Sequence, residues 1–94
     1  MKELIKFAIN NYHFEIEKSF IHSYLSEIYR YEKNELMKQL IKEVIFLNKN
    51  YLLFIDENFI SESTFFRLKN QLIDKIYHLL ILDNKVTREE ILND

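Results

Sequence analysis

Apolar residues in the first third of the chain recur at three- and four-residue steps, the spacing that places them on one face of an α-helix. This stripe consists of Ile5, Ile9, Tyr12, Ile16, Phe20, Tyr24 and Ile28. A second row beside it consists of Ile21, Leu25 and either Tyr29 or Tyr31. Because the two rows together are wider than the contact with one partner helix, we expect residues 1–34 to form a long helix that also mediates homodimerisation. We favour a continuous helix with a bend at Asn10-Asn11 and keep a break there as the alternative, since asparagine competes for backbone hydrogen bonds.

The same spacing predicts further helices downstream. Residues 35–47 form a second helix whose inward side consists of Leu36, Leu40, Ile41, Val44 and Leu47. A turn at Asn48-Lys49-Asn50 follows, with asparagine in the role that glycine usually has. Tyr51 to Glu57 then form a short helix, and Glu62 to about Leu82 form a long one. The buried stripe of the long helix consists of Phe65, Leu68, Leu72, Ile76 and Leu79.

The connection between the last two of these helices has the features of a helix-turn-helix. Asn58-Phe59 occupies the turn, and Ser61 is a candidate N-cap because its hydroxyl can accept a hydrogen bond from the backbone of Ser63 or Thr64. The outward side of the first helical turns then carries Glu62, Ser63, Phe66, Arg67 and Asn70. A short helix, a tight turn and a capped helix with an exposed polar start are typical of the motif. The sequence therefore predicts a small all-α domain with a helix-turn-helix over residues 35–82.

The segment Ile60-Ser61-x-x-Thr64-Phe65-x-Arg67-x-Lys69 resembles the second half of the helix-turn-helix in the ArpU/RinA-type phage transcription regulators, which are themselves similar to sigma-factor region 4. The resemblance extends upstream through residues 40–49, and the motif alone is also similar to Mga-type regulators. The turn of that family usually carries glycine, where this chain has Asn58-Phe59. The resemblance implies a phage or mobile-element regulator from a Gram-positive host that acts on duplex DNA, with RNA polymerase as a further partner. Mga-type proteins carry the motif inside a longer chain, so a piece of a larger regulator is the alternative to a complete protein.

Composition narrows the possible functions. The 94 residues contain no glycine, proline or cysteine, which excludes glycine-rich phosphate loops, disulfides and thiolate metal sites. The three histidines do not lie at ligand spacing, and no nucleophile stands beside a base. We therefore expect no enzymatic activity, no cofactor and no metal. No apolar run is long enough to span a membrane, and we expect a single cytoplasmic domain over residues 1–94. Its last segment, 83–94, would form a short helix capped by Thr87 and Glu90.

The predicted DNA contacts divide into two groups. Ser63, Thr64, Phe66, Arg67 and Asn70 are expected to meet base edges: Arg67 at guanine, Asn70 at adenine and Phe66 at a thymine methyl group. Phosphate contacts are expected from Lys49, Asn50, Tyr51 and Lys69.

The charge balance favours an alternative. The chain has a formal net charge of −2, whereas proteins that neutralise phosphates usually present a basic face. Opposite charges also balance between Lys49 and His78. The alternative function is therefore that of a protein-binding helical bundle without DNA binding, such as a phage-encoded inhibitor or a bacteriocin-immunity-like protein.

Overall fold

The computed structural model describes residues 1–83, apart from the side chains of residues 15–20. It contains α1 (Lys2–Asn10), α2 (Glu15–Tyr31), α3 (Glu35–Gln39) continued by a π-helical segment (Leu40–Phe46), α4 (Tyr51–Asn58) and α5 (Glu62–Leu82). The described part of the chain has no strand, and the predicted all-α class is confirmed. The predicted helix over 83–94, with its cap at Thr87 and Glu90, lies outside the described residues.

The prediction of one continuous N-terminal helix is wrong, because the chain breaks between Asn10 and Glu15. Asn11 causes the break in the way that asparagine usually ends a helix. Its side-chain amide donates to the carbonyl of Phe7 at 2.8 Å, and its backbone N–H donates to the same oxygen at 3.0 Å. After this turn α2 packs against α1, and both helices pack against α5.

The break weakens the reason for expecting a dimer through the first helix. Most described residues of the two apolar rows are buried within the chain, namely Ile5, Ile9, Tyr12, Ile21, Tyr24, Leu25 and Ile28. At the end of the second row Tyr29 is partly buried and Tyr31 is 69% exposed. Since most of the described row residues pack among α1, α2 and α5, little of the predicted width is left for a second chain. Homodimerisation itself remains a prediction.

The second predicted helix changes its winding halfway. The backbone N–H of Leu47 donates to the carbonyl of Lys42 at 3.0 Å, five residues earlier, as in a π-helix. A π-turn holds more residues than an α-turn, so the inward stripe rotates along the segment. Leu47, predicted to be inward, is therefore exposed, whereas Met37 and Ile45 are buried. Asn48 then turns the chain with a φ of 58°, in the left-handed region. Asparagine thus takes the role that glycine usually has in such a turn, as predicted.

α5 lies at the centre of the core. The side chains that it buries are Phe65, Leu68, Leu72, Ile73, Ile76, Tyr77 and Leu80. The predicted stripe is thus confirmed except at Leu79, which is only partly buried. α4 packs against the π-helical segment and meets the start of α5 through Phe54, whose ring centroid lies 6.0 Å from that of Phe65. This contact fixes the position of α4 beside the first turns of α5.

Candidate nucleic-acid interface

The turn between α4 and α5 is closed by a left-handed residue. Phe59 has φ 55° and ψ 43°, and its N–H donates to the carbonyl of Asp56 at 3.3 Å. The N–H of Ile60 donates to the carbonyl of Ile55 at 3.2 Å. These two bonds form a Schellman motif, in which glycine usually occupies the left-handed position. Asparagine was expected to replace glycine here, but Asn58 stays helical and Phe59 takes the left-handed conformation.

The predicted cap of α5 is confirmed. The hydroxyl of Ser61 accepts a hydrogen bond from the backbone N–H of Thr64 at 3.1 Å. The same hydroxyl lies 3.0 Å from the hydroxyl oxygens of both Ser63 and Thr64. The cap therefore satisfies one free backbone donor of the helix end and also holds two neighbouring side chains. Of the predicted base contacts, Ser63 and Thr64 are engaged in this cluster.

Arg67 and Asn70 stand on the open side of α5. With Ser63 they follow steps of four and three residues, so the three side chains share one helix face. All three are exposed. Arg67 and Asn70 have no hydrogen-bond or ion-pair partner among the described residues. Within residues 1–83 no helix covers either side chain, and both are available to an incoming partner.

The two predicted aromatic contacts belong to a ring cluster at the edge of this face. The ring centroid of Tyr51 lies 5.3 Å from that of Phe65 and 5.7 Å from that of Phe66. Phe65 and Phe66 are themselves 5.2 Å apart, in an edge-to-face arrangement. Phe65 is buried, whereas Tyr51 and Phe66 remain open to solvent on one side. The cluster fixes the orientation of both outer rings.

The side chains of Lys49 and Asn50 bond to other groups of the same chain instead of projecting into solvent. The Lys49 ammonium lies 2.6 Å from a carboxylate oxygen of Glu43 and 2.9 Å from one of Glu57. The hydrogen bonds that its ammonium group donates to these two carboxylates raise the pKa of Lys49. The side chain of Asn50 accepts from the backbone N–H of Leu52 at 2.8 Å and caps α4. The phosphate contacts predicted for both residues would compete with these internal bonds.

Lys69 points toward α1. Its ammonium group donates a hydrogen bond to the side-chain oxygen of Asn10, a neutral partner. Partial burial, together with the positive charge of Lys6, lowers the pKa of Lys69. Lys69 is therefore a cation without a carboxylate partner in the described part of the molecule.

A cavity of about 490 Å³ opens beside Lys69, between α1, the π-helical segment, α4 and α5. Five of the nine predicted contact residues line it: Lys49, Asn50, Tyr51, Phe66 and Lys69. Asn10, His13 and Asn48 complete its polar wall. Asn10 and His13 were not predicted from the sequence, because they lie far from α5 in the chain and no spacing rule connects them.

Ion pairs hold one acid and one base of α5. Asp74 is paired with Lys2 at 3.1 Å, which removes one of the two acids of this helix from the balance. Lys75 is paired with Glu32 at 3.2 Å. At the start of α5 the remaining described charges are Arg67, Lys69 and the carboxylate of Glu62. These three side chains sum to one positive charge, but the carboxylate of Asp56 on the neighbouring α4, which has no ion-pair partner among the described residues, offsets it. The balance between Lys49 and His78 therefore stays even, as the sequence indicates.

Within residues 1–83 no helix has the length and apolar character needed to cross a membrane. No cluster of three or more histidine, aspartate or glutamate side chains is arranged to hold a metal ion in the same part of the chain.

Comparison with known proteins finds no relative of this chain: no family model, no curated protein and no solved structure matches it.

Proposed function

We propose that this chain is a small regulator of transcription that binds duplex DNA through the exposed face of α5. The observation that carries the proposal is the placement of Arg67 and Asn70. Both follow a capped helix start, both are exposed, and neither has a partner in the described structure. A helix with its polar start open to solvent has the shape that enters the major groove in helix-turn-helix proteins.

The two side chains have separate roles in the proposal. The fork of the Arg67 guanidinium matches the O6 and N7 acceptors of guanine, and the Asn70 amide matches N6 and N7 of adenine. Ser63 and Phe66 flank them on the same side of the helix, Phe66 toward a thymine methyl group. The hydroxyl of Thr64 keeps its place in the cap.

The cations contribute unequally to phosphate binding. Lys69 has no carboxylate partner among the described side chains, whereas Lys49 is held by two. One chain therefore makes few phosphate contacts, and we expect its DNA binding to have modest affinity and a shallow salt dependence. Homodimerisation and contact with RNA polymerase, which would add affinity, remain predictions from the sequence.

Binding of a duplex that the chain retains from a random pool, measured by fluorescence anisotropy, tests the proposal. We expect Arg67→Ala/Asn70→Ala to weaken binding by at least tenfold, because each base contact contributes about 1–3 kcal/mol. Arg30→Ala is the matched control, since Arg30 is an exposed arginine on α2. Equal loss in the control, or unchanged binding by the double variant in its folded form, would contradict the proposal.

A second candidate function, protein binding without DNA, is favoured by the outer surface of α4. Leu52 and Leu53 are 51% and 56% exposed, and Phe59 in the following turn is 95% exposed. Asp56 and Glu57 lie on the same short helix, where they would repel phosphates. This apolar and acidic surface suits a protein partner better than DNA. A Leu52→Ser/Leu53→Ser variant separates the two functions, because it preserves duplex binding if α5 is the DNA contact.

A further inference from the structure

The cavity beside Lys69 has a cationic end. The ammonium group of Lys69 is partly buried, its hydrogen-bond partner is the neutral side chain of Asn10, and the charge of another cation, Lys6, acts on it. A partly buried charge with no opposite charge is unfavourable, because burial removes water without a replacement. His13 stands in the same wall. The described lining of the cavity contains no carboxylate.

The other lysine in the wall, Lys49, does not add to this charge. Lys49 is neutralised by Glu43 and Glu57, neither of which lines the cavity. Its hydrogen bonds are directed to these two carboxylates. The cavity therefore has an excess of positive charge at one end, centred on Lys69.

The uncharged part of the cavity lining is largely apolar and aromatic. Its wall is formed by the ring cluster Tyr51, Phe65 and Phe66, whose centroids lie 5.2–5.7 Å apart. Ile9, Leu40, Val44 and Ile45 complete this part of the lining. Rings fixed in this way offer edges and faces to another aromatic ring.

We propose that this cavity is a binding site for a small aromatic carboxylate, with the carboxylate at Lys69 and the ring against Tyr51, Phe65 and Phe66. The volume of about 490 Å³ lies within the range of small-molecule sites. A carboxylate supplies the charge that Lys69 lacks and can accept from both its ammonium group and the Asn10 amide. Neutral ligands leave the cation uncompensated, and aliphatic acids leave the ring wall without a partner.

The site joins elements that lie far apart in the chain. Asn10 ends α1, Tyr51 begins α4 and Lys69 belongs to α5. A bound ligand would therefore tie the N-terminal helix to the two helices on either side of the turn. The ligand site is inferred independently of DNA binding and stands or fails without it.

Binding of 2-naphthoate to the full chain, followed by ¹H–¹⁵N chemical shifts in the absence of DNA, tests the site. The neutral control ligand is 2-naphthamide, which has the same ring and nearly the same size. We expect 2-naphthoate to bind with a Kd below about 1 mM, in keeping with the efficiency of ligands of this size. We also expect at least a tenfold preference for the acid over the amide, with shifts centred on Asn10, His13 and Lys69.

Two variants test whether Lys69 is the cation that binds the carboxylate of the ligand. Lys69→Gln removes the charge, and Asn10→Asp provides an internal carboxylate while keeping the lysine. Both should abolish the preference for the acid, whereas Lys75→Gln, on the same helix but paired with Glu32, should keep it. If Lys69→Gln does not fold, the loss of preference in Asn10→Asp still tests the proposal. Equal binding of acid and amide, no binding of either, shifts away from the cavity, or an unchanged preference in Asn10→Asp would each overturn the proposal.

Discussion

The ammonium nitrogen of Lys49 lies 2.6 Å from a carboxylate oxygen of Glu43, at the junction between the π-helical segment and α4. Glu57, near the end of α4, binds the same ammonium group at 2.9 Å. Lys49 therefore links α4 to the segment that precedes it. Because its charge is used inside the molecule, little of it is available for a phosphate group.

We expect Lys49→Met to lower the melting temperature while leaving the salt dependence of DNA binding unchanged. The stability falls because two carboxylates that share one cation are left to repel each other. Lys42→Met is the matched control, since Lys42 is an exposed lysine on the π-helical segment without a partner among the described residues. Thermal unfolding and anisotropy titrations at several salt concentrations measure the two effects. A shallower salt dependence in Lys49→Met would show that the lysine does contact phosphate.

Glu32 makes the stability of the fold dependent on pH. Burial alone would raise the pKa of Glu32, but hydrogen bonds from the Asn34 backbone and the Lys75 ammonium outweigh it, and the pKa lies below its ordinary value of 4.5. A lowered pKa in the folded state gives stability that is complete above pH 4.5 and is lost as the pH falls through the folded pKa. Urea unfolding from about pH 6 to about pH 3 should therefore show a larger loss for the wild type than for Glu32→Gln. Parallel curves for the two proteins would contradict this assignment.

Phe59 adopts the left-handed conformation at a position where its ring is almost fully exposed. A residue with a Cβ atom is disfavoured in this conformation by about 1–2 kcal/mol, and asparagine tolerates it better. We expect Phe59→Asn to raise the free energy of unfolding by about 1 kcal/mol. Phe59→Ala is the control, because it removes the ring but keeps the unfavourable backbone. Chemical denaturation of the three proteins gives the comparison, and equal stability of the asparagine and alanine variants would contradict the backbone explanation.

The cap of α5 contributes to stability through one hydroxyl. Ser61→Ala removes the acceptor of the Thr64 N–H, and we expect it to lower the free energy of unfolding by about 1 kcal/mol. Ser63→Ala should have a smaller effect, because the Ser63 hydroxyl is bonded to the Ser61 side chain and to no backbone group. Urea denaturation measures both. If the two variants lose the same stability, the cap hydrogen bond is not the source of the effect.

Apolar periodicity predicted the helical class and the limits of α5, and the serine side chain predicted the cap at Ser61. Each of these depends on residues that are close together in the sequence. The break after Asn10 was harder to predict, since an apolar stripe continues through it and only the asparagines mark its position, where the Asn11 side chain donates to the carbonyl of Phe7. The π-helical winding that exposes Leu47 has no signature in the spacing of apolar residues.

The candidate site was predictable only in part. Arg67 and Asn70 follow from the helical spacing after Ser61, and the structure leaves both exposed. The contact between Lys69 and Asn10 joins residues 59 positions apart, so it could not be inferred from local patterns. The pairing of Lys49 with Glu43 and Glu57 likewise depends on how α4 packs against the π-helical segment.

Chemical-shift mapping with duplex DNA tests the central claim most directly. A duplex retained by the chain from a random pool is titrated into the ¹⁵N-labelled protein, and the amide shifts are followed. The account predicts that the largest changes fall on Ser63, Arg67 and Asn70, on the exposed face of α5. No shift changes at saturating DNA, or changes confined to Leu52, Leu53 and Phe59 on the outer surface of α4 and its turn, would contradict it.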